Sequence, residues 1–141
     1  MNQFIEFFVN HWLLWSAFII VAVAILVFEL RQRVGGIPRV SPQAAVQSMN
    51  HDNALVLDVR SKDEFVQGHI VNAKHIPHTE ILSRINSLVK YKQTPIIVVC
   101  QMGPRAVQAA QELSKHGFEK LAILAGGMNA WRADSLPVEK N

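Results

Sequence analysis

Apolar runs alternate with polar segments along most of this chain, and the longest apolar run lies near the amino terminus. No charged residue occurs between Trp12 and Phe28. These 17 residues span roughly 26 Å as a helix, close to the hydrocarbon thickness of a bilayer. Tryptophans near one end and charged residues after the other suit the two membrane interfaces. The pattern predicts a transmembrane helix over residues 12–30, after an amino-terminal flank over residues 1–11.

A secretory signal peptide and a buried core helix are the alternatives for this segment. The flank contains Glu6 and no Lys or Arg, and no small-residue cleavage site follows the apolar run, which disfavours the signal peptide. The length and all-round apolarity disfavour the core helix. Because Arg31, Arg33 and Arg39 follow the segment, the positive-inside rule predicts a single pass through the inner membrane, with the carboxyl-terminal part in the cytoplasm.

Short apolar strands alternate with helical periodicity in the rest of the chain. Gly and Pro make residues 31–38 a short linker, a domain is predicted over 39–137, and 138–141 remain as a tail. The predicted strands are 54–59, 73–76, 96–99 and 121–124. The predicted helices begin at Ser41-Pro42, at Ser61, at Thr79 and at Pro104; the second has a capping box from Ser61 to Glu64, and the third runs to Lys90. This alternation indicates a small α/β domain with a mainly parallel sheet.

The chain's only cysteine follows its most strongly apolar predicted strand. Residues 96–99 are β-branched and unbroken, as in a strand buried on both faces of a parallel sheet. Cys100 then lies at the strand's carboxyl end, the edge where ligands bind in open α/β sheets. Pro104 suits the first turn of a helix, so Cys100 faces a helix N-terminus. The helix dipole, the loop N–H groups and Arg105 would all favour a thiolate.

Two interpretations of Cys100 follow from this placement, a nucleophile and an inert core cysteine. Free cysteines are among the most buried residues, which favours the second for a cysteine without context. Gly103 and Arg105 favour the first, because a core position needs neither a permissive backbone nor a cation.

Composition and charge narrow the function further. The chain has 141 residues, 14 Lys and Arg, 11 Asp and Glu, and a formal charge of +3, which allows one domain of ordinary size beside the anchor. The basic residues are scattered, without a basic run or interleaved aromatics, so no nucleic-acid partner is expected. A single cysteine excludes an intrachain disulfide and agrees with a reducing compartment. Six histidines without a paired short spacing make no recognisable zinc site.

Three separated motifs together resemble the single-domain rhodanese family of sulfurtransferases. The motifs are Asp58-Val59-Arg60 with Glu64-Phe65, Gly68-His69-Ile70, Asn72-Ala73 and His75-Ile76-Pro77; the loop from Cys100 to Arg105; and Gly126-Gly127 followed by Trp131. The resemblance covers residues 39 to about 137. It implies a five-stranded parallel sheet flanked by helices, and it implies a catalytic cysteine that carries sulfur as a persulfide, without a metal or organic cofactor.

The resemblance also implies roles for the residues around the cysteine. Cys100 would be catalytic, and the persulfide-binding loop would consist of Gln101, Met102, Gly103, Pro104 and Arg105. Asp58 and Arg60 would brace this loop, a role favoured over acid–base chemistry. Gly126-Gly127 would form a tight turn beside the loop, with Trp131 in the core. His69 and His75 are expected to serve packing or turn hydrogen bonds.

The implied reaction is sulfur transfer from thiosulfate or a protein persulfide to a thiol or cyanide. Four residues separate Cys100 from Arg105, whereas tyrosine phosphatases place five there, so a phosphatase or arsenate reductase is disfavoured. Gln101 and Met102 are neutral where family loops often carry a second cation, which predicts weak attraction for thiosulfate. Expected partners are a small-molecule or protein sulfur donor, a thiol acceptor, the membrane through residues 12–30, and membrane proteins that the sequence does not identify.

Two other functions remain open alongside the sulfurtransferase. One is a membrane-tethered rhodanese-fold binding or scaffold module without turnover, in which Cys100 is idle or regulatory. The other is a redox sensor whose thiol forms a mixed disulfide. The intact set of Cys100, Gly103 and Arg105 favours the enzyme.

Overall fold

A computed structural model describes residues 1–140, with the backbone alone for residues 31–35, and it separates the chain into two compact units, Met1–Gly36 and Ile37–Asn141. The first unit contains two helices, α1 (Asn2–Asn10) and α2 (Trp12–Gly35). Helix α2 extends past residue 30, where the membrane segment is predicted to end. The side chains of Arg31 and Arg33, on which the predicted orientation rests, lie outside the described part.

Helix α2 contains a stretch that is long and apolar enough to cross a membrane. This stretch, Trp12–Leu30, has 19 residues and a mean hydropathy of 2.6, and none of it is buried. Length and composition of this kind are shared by membrane helices, signal sequences near an amino terminus and core helices of soluble proteins. The apolar helix is therefore a candidate anchor.

The second unit alternates short strands with helices. The strands are β1 (Arg39–Val40), β2 (Leu55–Asp58), β3 (His69–Ile70), β4 (Lys74–His75), β5 (Ile96–Val99), β6 (Leu121–Leu124) and β7 (Val138–Glu139). The α-helices are α3 (Pro42–His51), α4 (Lys62–Gln67), α5 (Ile81–Arg84), α6 (Pro104–Lys115) and α7 (Gly127–Ala133), and 3₁₀ helices cover His78–Glu80 and Ile85–Tyr91. The predicted caps are confirmed, because Ser61 and Glu64 form a reciprocal capping box and the Ser41 hydroxyl accepts from the N–H of Ala44.

Five strands form one parallel sheet in the order β1-β6-β5-β2-β4, which confirms the predicted fold. Strand β5 is central, and all four of its residues are buried, as its unbroken β-branched sequence predicts. Ile96, Val98 and Cys100 belong to the core on one face of the sheet, whereas Ile97 and Val99 belong to the core on the other. Cys100 thus continues the inward alternation of the central strand.

Trp131 on α7 lies in the second of these two cores, as predicted. Its side chain is buried, and its indole N–H donates to the carbonyl oxygen of Pro137 at 3.0 Å. This packing fixes α7 against the sheet beside the carboxyl end of β5, because Met128 of the same helix is buried in the same cluster.

The helical segment predicted from Thr79 to Lys90 is confirmed, but it is not one continuous α-helix. That region consists of a 3₁₀ turn, one turn of α-helix and a second 3₁₀ helix. The hydroxyls of Ser83 and Ser87 donate to the carbonyl oxygens of Glu80 and Arg84, and such bonds compete with the regular α-helical pattern. The apolar spacing reports burial on one side correctly, but it does not distinguish the two kinds of helix.

The sequence also misses three two-residue strands. Strand β1 adds an edge to the parallel sheet next to β6, and β3 pairs antiparallel with β7. Elements of this length are too short to produce a hydrophobic period. The β3–β7 pairing attaches Val138–Glu139, which the sequence assigns to a tail, to the residues just before β4.

Candidate functional site

Cys100 lies at the carboxyl edge of the parallel sheet, directly after β5. The neighbouring strand β2 is in register with β5 and ends at Asp58, which pairs with Val99. Only 1% of Cys100 is exposed, as the interpretation of an inert core cysteine expects. Cys100 packs in the hydrophobic core on one face of the sheet, but its sulfur also makes a polar contact.

The Cys100 sulfur accepts a hydrogen bond within its own loop. The backbone N–H of Gly103 donates to Sγ at 2.8 Å, and Gly103 is also the residue that caps α6. Its φ of +136° lies in a region that side-chain-bearing residues rarely adopt, although a Cβ there would meet no neighbour within 4 Å. Gly103 is therefore required by backbone conformation, and this conformation aims an N–H at the sulfur near the positive end of a helix dipole.

The start of helix α7 holds the other side of the loop. The N–H groups of Met128 and Asn129 donate to the carbonyl oxygens of Cys100 and Gln101 at 2.9 and 3.2 Å. The amide of Gln101 in turn donates to the side-chain oxygen of Asn129 at 2.5 Å. A Cβ on Gly127 would overlap the Cys100 carbonyl oxygen, so a glycine is needed for this close approach.

A buried ion pair links β2 to the loop. Arg60 donates to both carboxylate oxygens of Asp58, with the shortest contact 2.7 Å, and both side chains are 1% exposed. The same guanidinium donates to Gln101 Oε1 at 3.2 Å and to the Gly68 carbonyl oxygen at 2.8 Å. The contact with Gln101 is direct, which is compatible with the bracing role that the family resemblance implies.

Arg105 makes a bidentate ion pair with Glu64. The two guanidinium contacts to the carboxylate are 2.7 and 2.9 Å long. Hydrogen bonding from Arg105, with further bonds from Ser61, lowers the pKa of Glu64 from 4.5 to about 2, although burial opposes this shift. The same pair raises the pKa of Arg105. From the sequence, Arg105 is expected to act on Cys100; its nearest anionic partner in the structure is instead a carboxylate.

Sequence reasoning missed Glu64 and Asn129 as residues of this site. The capping-box spacing identifies the bond between Glu64 and Ser61 but not the second partner, which lies 41 residues along the chain. Asn129 has no motif of its own. The polar contacts of the loop thus extend beyond the predicted residues.

The remaining loop residues lie at the surface. Met102 is 69% exposed, and Pro104 is exposed at the first turn of α6.

The histidines of the motif region pack as predicted. The Phe65 ring lies between the rings of His69 and His75, with centroid distances of 3.8 and 4.5 Å. His69 and His75 donate to the carbonyl oxygens of Phe65 and Arg60. Among the residues whose side chains the structure describes, no group of three or more His, Cys, Asp or Glu could hold a metal ion.

Comparison with known proteins identifies a family profile and several relatives that are similar to this chain. The family profile described as Rhodanese-like domain matches residues 41–134. The uncharacterized protein YibN of Escherichia coli (strain K12) is 30% identical over 139 residues, covering 98% of this chain and 97% of its own. The putative sulfur carrier protein YrkF of Bacillus subtilis (strain 168) is 34% identical over 101 residues, covering 71% of this chain and 54% of its own.

Solved structures give the same fold. A rhodanese-related protein from Thermoplasma volcanium has a TM-score of 0.67 at 25% identity, covering 74% of this chain and 99% of that one. A thiosulfate sulfurtransferase from Pseudomonas aeruginosa has a TM-score of 0.66 at 25% identity, covering 79% of this chain but only 22% of its own length.

Substituting Gly127 tests the close approach of α7 to the loop. Gly127→Ala is expected to lower the free energy of unfolding by about 2 kcal/mol or more, because the added Cβ must displace the Cys100 carbonyl. Gly117→Ala is the matched control, since its φ is also positive but its Cβ meets only the end of Lys92; about 1 kcal/mol is expected. Urea unfolding of the full chain in detergent measures both, and equal losses would contradict the steric explanation.

The pair of Glu64 and Arg105 predicts a pH dependence of stability. Because the folded pKa of Glu64 is lowered from 4.5 to about 2, the stabilisation is complete above 4.5 and is lost as pH falls towards 2. Both side chains are about one-third exposed, so the effect is expected to stay below about 1 kcal/mol. The difference in urea midpoint between wild type and Glu64→Gln should shrink between about pH 7 and about pH 3. A constant difference would show that the charge contributes nothing.

Proposed function

The chain belongs to the rhodanese family, and on that premise we propose that it is a membrane-anchored sulfurtransferase that carries sulfane sulfur as a persulfide on Cys100. The family has sulfur-carrier and sulfurtransferase members among the relatives of this chain. The observation that carries the proposal is the hydrogen bond from the Gly103 N–H to the Cys100 sulfur at the N-terminus of α6. A donor in this position stabilises a thiolate and the sulfur anion that replaces it.

The loading step is a displacement at sulfur. The Cys100 thiolate attacks the outer sulfur of a donor R–S–SH, the donor's S–S bond breaks, and R–S⁻ leaves with the bonding electrons while Cys100–S–SH forms. With thiosulfate the same attack releases sulfite and leaves Cys100–S–S⁻. No electrons enter or leave the system, so the reaction needs no external oxidant or reductant.

In the unloading step Cys100 is the leaving group, whereas in the loading step it is the nucleophile. An acceptor thiolate or cyanide attacks the outer sulfur of the persulfide, and the Cys100 thiolate leaves. The N–H of Gly103 and the dipole of α6 stabilise this leaving group, because they favour negative charge on Cys100 Sγ. The peptide N–H and the helix dipole belong to the backbone, so they stabilise the thiolate in both steps without rearrangement.

Asp58 and Arg60 position the loop in this proposal. Arg60 is held by the Asp58 carboxylate and reaches Gln101 directly. Its buried guanidinium is hydrogen-bonded on several sides, which leaves it suited to orienting the loop. Proton transfer is not needed for attack by a thiolate, so neither residue has an acid–base role here.

The apolar helix supplies the location in the proposal. Residues 12–30 would cross the inner membrane, with Arg31, Arg33 and Arg39 keeping the carboxyl-terminal domain in the cytoplasm. A reducing compartment suits a single catalytic thiol. Partners would be sulfur donors and thiol acceptors that reach this membrane surface, including membrane proteins.

A tethered binding module without turnover is the second candidate, and the burial of Cys100 favours it. A cysteine that is 1% exposed must become accessible before it can react. Direct detection of the intermediate distinguishes the two functions, because a binding module needs no persulfide.

The persulfide is expected on the purified full-length protein. Incubation with thiosulfate, cysteine persulfide or a persulfidated protein should add the mass of one sulfur atom, and cyanide should remove it. Cys100 is the only cysteine, so the adduct is assigned without digestion, and Cys100→Ser should show none. Absence of an adduct with all three donors would exclude the sulfurtransferase and leave the binding module.

Topology is tested with exposed reporter cysteines, because the burial of Cys100 makes it a poor reporter. In a Cys100→Ser background, Asn2→Cys should react with a membrane-impermeant maleimide in whole cells, and Lys115→Cys should react only after lysis. Both positions are exposed. The opposite labelling would reverse the orientation, and loss of the amino-terminal reporter with a soluble product would identify a cleaved signal sequence.

A further inference from the structure

The sulfur-carrying loop contains Arg105 and contacts Arg60, and both arginines are paired with carboxylates. Arg60 is paired with Asp58, and Arg105 is paired with Glu64. The remaining loop side chains, from Gln101 to Pro104, carry no charge. Each arginine is therefore in direct contact with one carboxylate, and the two pairs together carry no net charge.

Glu64 is held in place independently of Arg105. Its carboxylate accepts from the backbone N–H and from the hydroxyl of Ser61, both at 3.0 Å, as the reciprocal capping box at the start of α4 requires. The same carboxylate accepts both guanidinium bonds of Arg105, one on each oxygen, and Oε2 accepts from Ser61 and Arg105 together. Arg105 consequently cannot turn towards a ligand without breaking two charge-assisted hydrogen bonds to a fixed partner.

Arg105 is nevertheless close enough to matter for the reacting sulfur. Arg105 ends the loop that Cys100 begins, and the pKa of its guanidinium is raised mainly by Glu64 and to a smaller extent by Cys100. A free Arg105 would attract an anionic donor to this loop, and a dianion twice as strongly as a monoanion. Its pairing with Glu64 removes most of that attraction.

From this arrangement we infer that Glu64 is a specificity-determining residue, which by pairing with Arg105 disfavours dianionic donors and leaves thiol persulfides of low charge as the substrate class. The inference rests on the proposed function and identifies the kind of donor that this site takes. Thiosulfate carries two negative charges that need a cation at the loop. The outer sulfur of a thiol persulfide is neutral when protonated, and the N–H of Gly103 already stabilises the Cys100 thiolate that attacks it.

The exposed side of the loop agrees with a donor of this kind. Met102 is 69% exposed beside the cysteine, and an unbranched thioether packs adaptably against apolar surface. The Met102 side chain has no positive charge and no hydrogen-bond donor that would bind a small dianion.

The test compares donors in the full-length protein and in Glu64→Gln. Glutamine still satisfies the capping box but removes the negative charge from Arg105. The ratio of kcat/KM for thiosulfate to kcat/KM for cysteine persulfide is expected to rise about tenfold, the effect of removing one unit charge near a dianion in a water-like medium. A persulfidated protein as a third donor distinguishes a macromolecular source of the persulfide from a small-molecule source.

Two variants control the comparison. Asp63→Asn removes one negative charge from the same helix start without touching Arg105, and the donor ratio is expected to stay within about twofold of wild type. Met102→Lys adds a cation to the loop while Glu64 stays paired, and it should raise the ratio as Glu64→Gln does. Circular dichroism and urea midpoints verify that each variant is folded.

The outcomes separate the inference from the proposed function. If the wild type forms a persulfide and Glu64→Gln leaves the donor ratio unchanged, the role of Glu64 is wrong and the sulfurtransferase stands. A rise with Met102→Lys alone leads to the same conclusion and shows that the assay responds to charge. An equal rise with Asp63→Asn would mean that general surface charge, and not the pair, selects the donor. If no variant forms a persulfide with any donor, the proposed function itself fails.

Discussion

The site depends on a close approach of two backbones, the loop after β5 and the first turn of α7. Two peptide N–H groups of α7 bind the carbonyl oxygens of Cys100 and Gln101, and Gly127 makes room for them. With these carbonyls bound on one side, the N–H of Gly103 faces the cysteine sulfur on the other. Packing of Trp131 in the core fixes α7, so the geometry at the sulfur is set by the interior of the domain.

Two ion pairs then connect this loop to the segment that follows β2. One pair is buried and bonded on several sides, and it reaches the loop through Gln101. The other lies near the surface and ends on the last residue of the loop. The two pairs differ in the free energy that is lost when they are broken. Breaking a buried pair leaves an uncompensated charge, whereas an exposed pair contributes little to stability. The buried pair is suited to holding structure and the exposed pair to setting the charge that a ligand meets.

Sequence patterns predict the strands and helices that carry the site because each has a local cause. Four β-branched residues indicate the buried strand β5, and serine caps followed by proline or glutamate mark helices α3 and α4. The bidentate partner of Arg105 and the bond between Gln101 and Asn129 have no such cause, since they join residues 41 and 28 positions apart. The short strands β1, β3 and β7 are also set by pairing alone. Tertiary contacts of this kind leave no period in the sequence.

The reciprocal cap of α4 has a dynamic consequence. The carboxylate that binds Arg105 belongs to a helix of six residues, and a helix this short is held by its cap and its packing, since its own backbone hydrogen bonds are few. Local opening of such an element takes far less free energy than unfolding of the domain. Because Glu64 is the third residue of this helix, its contact with Arg105 depends on the helix being formed. The electrostatic character of the cysteine loop is therefore tied to the fraying equilibrium of a helix to which the loop does not belong.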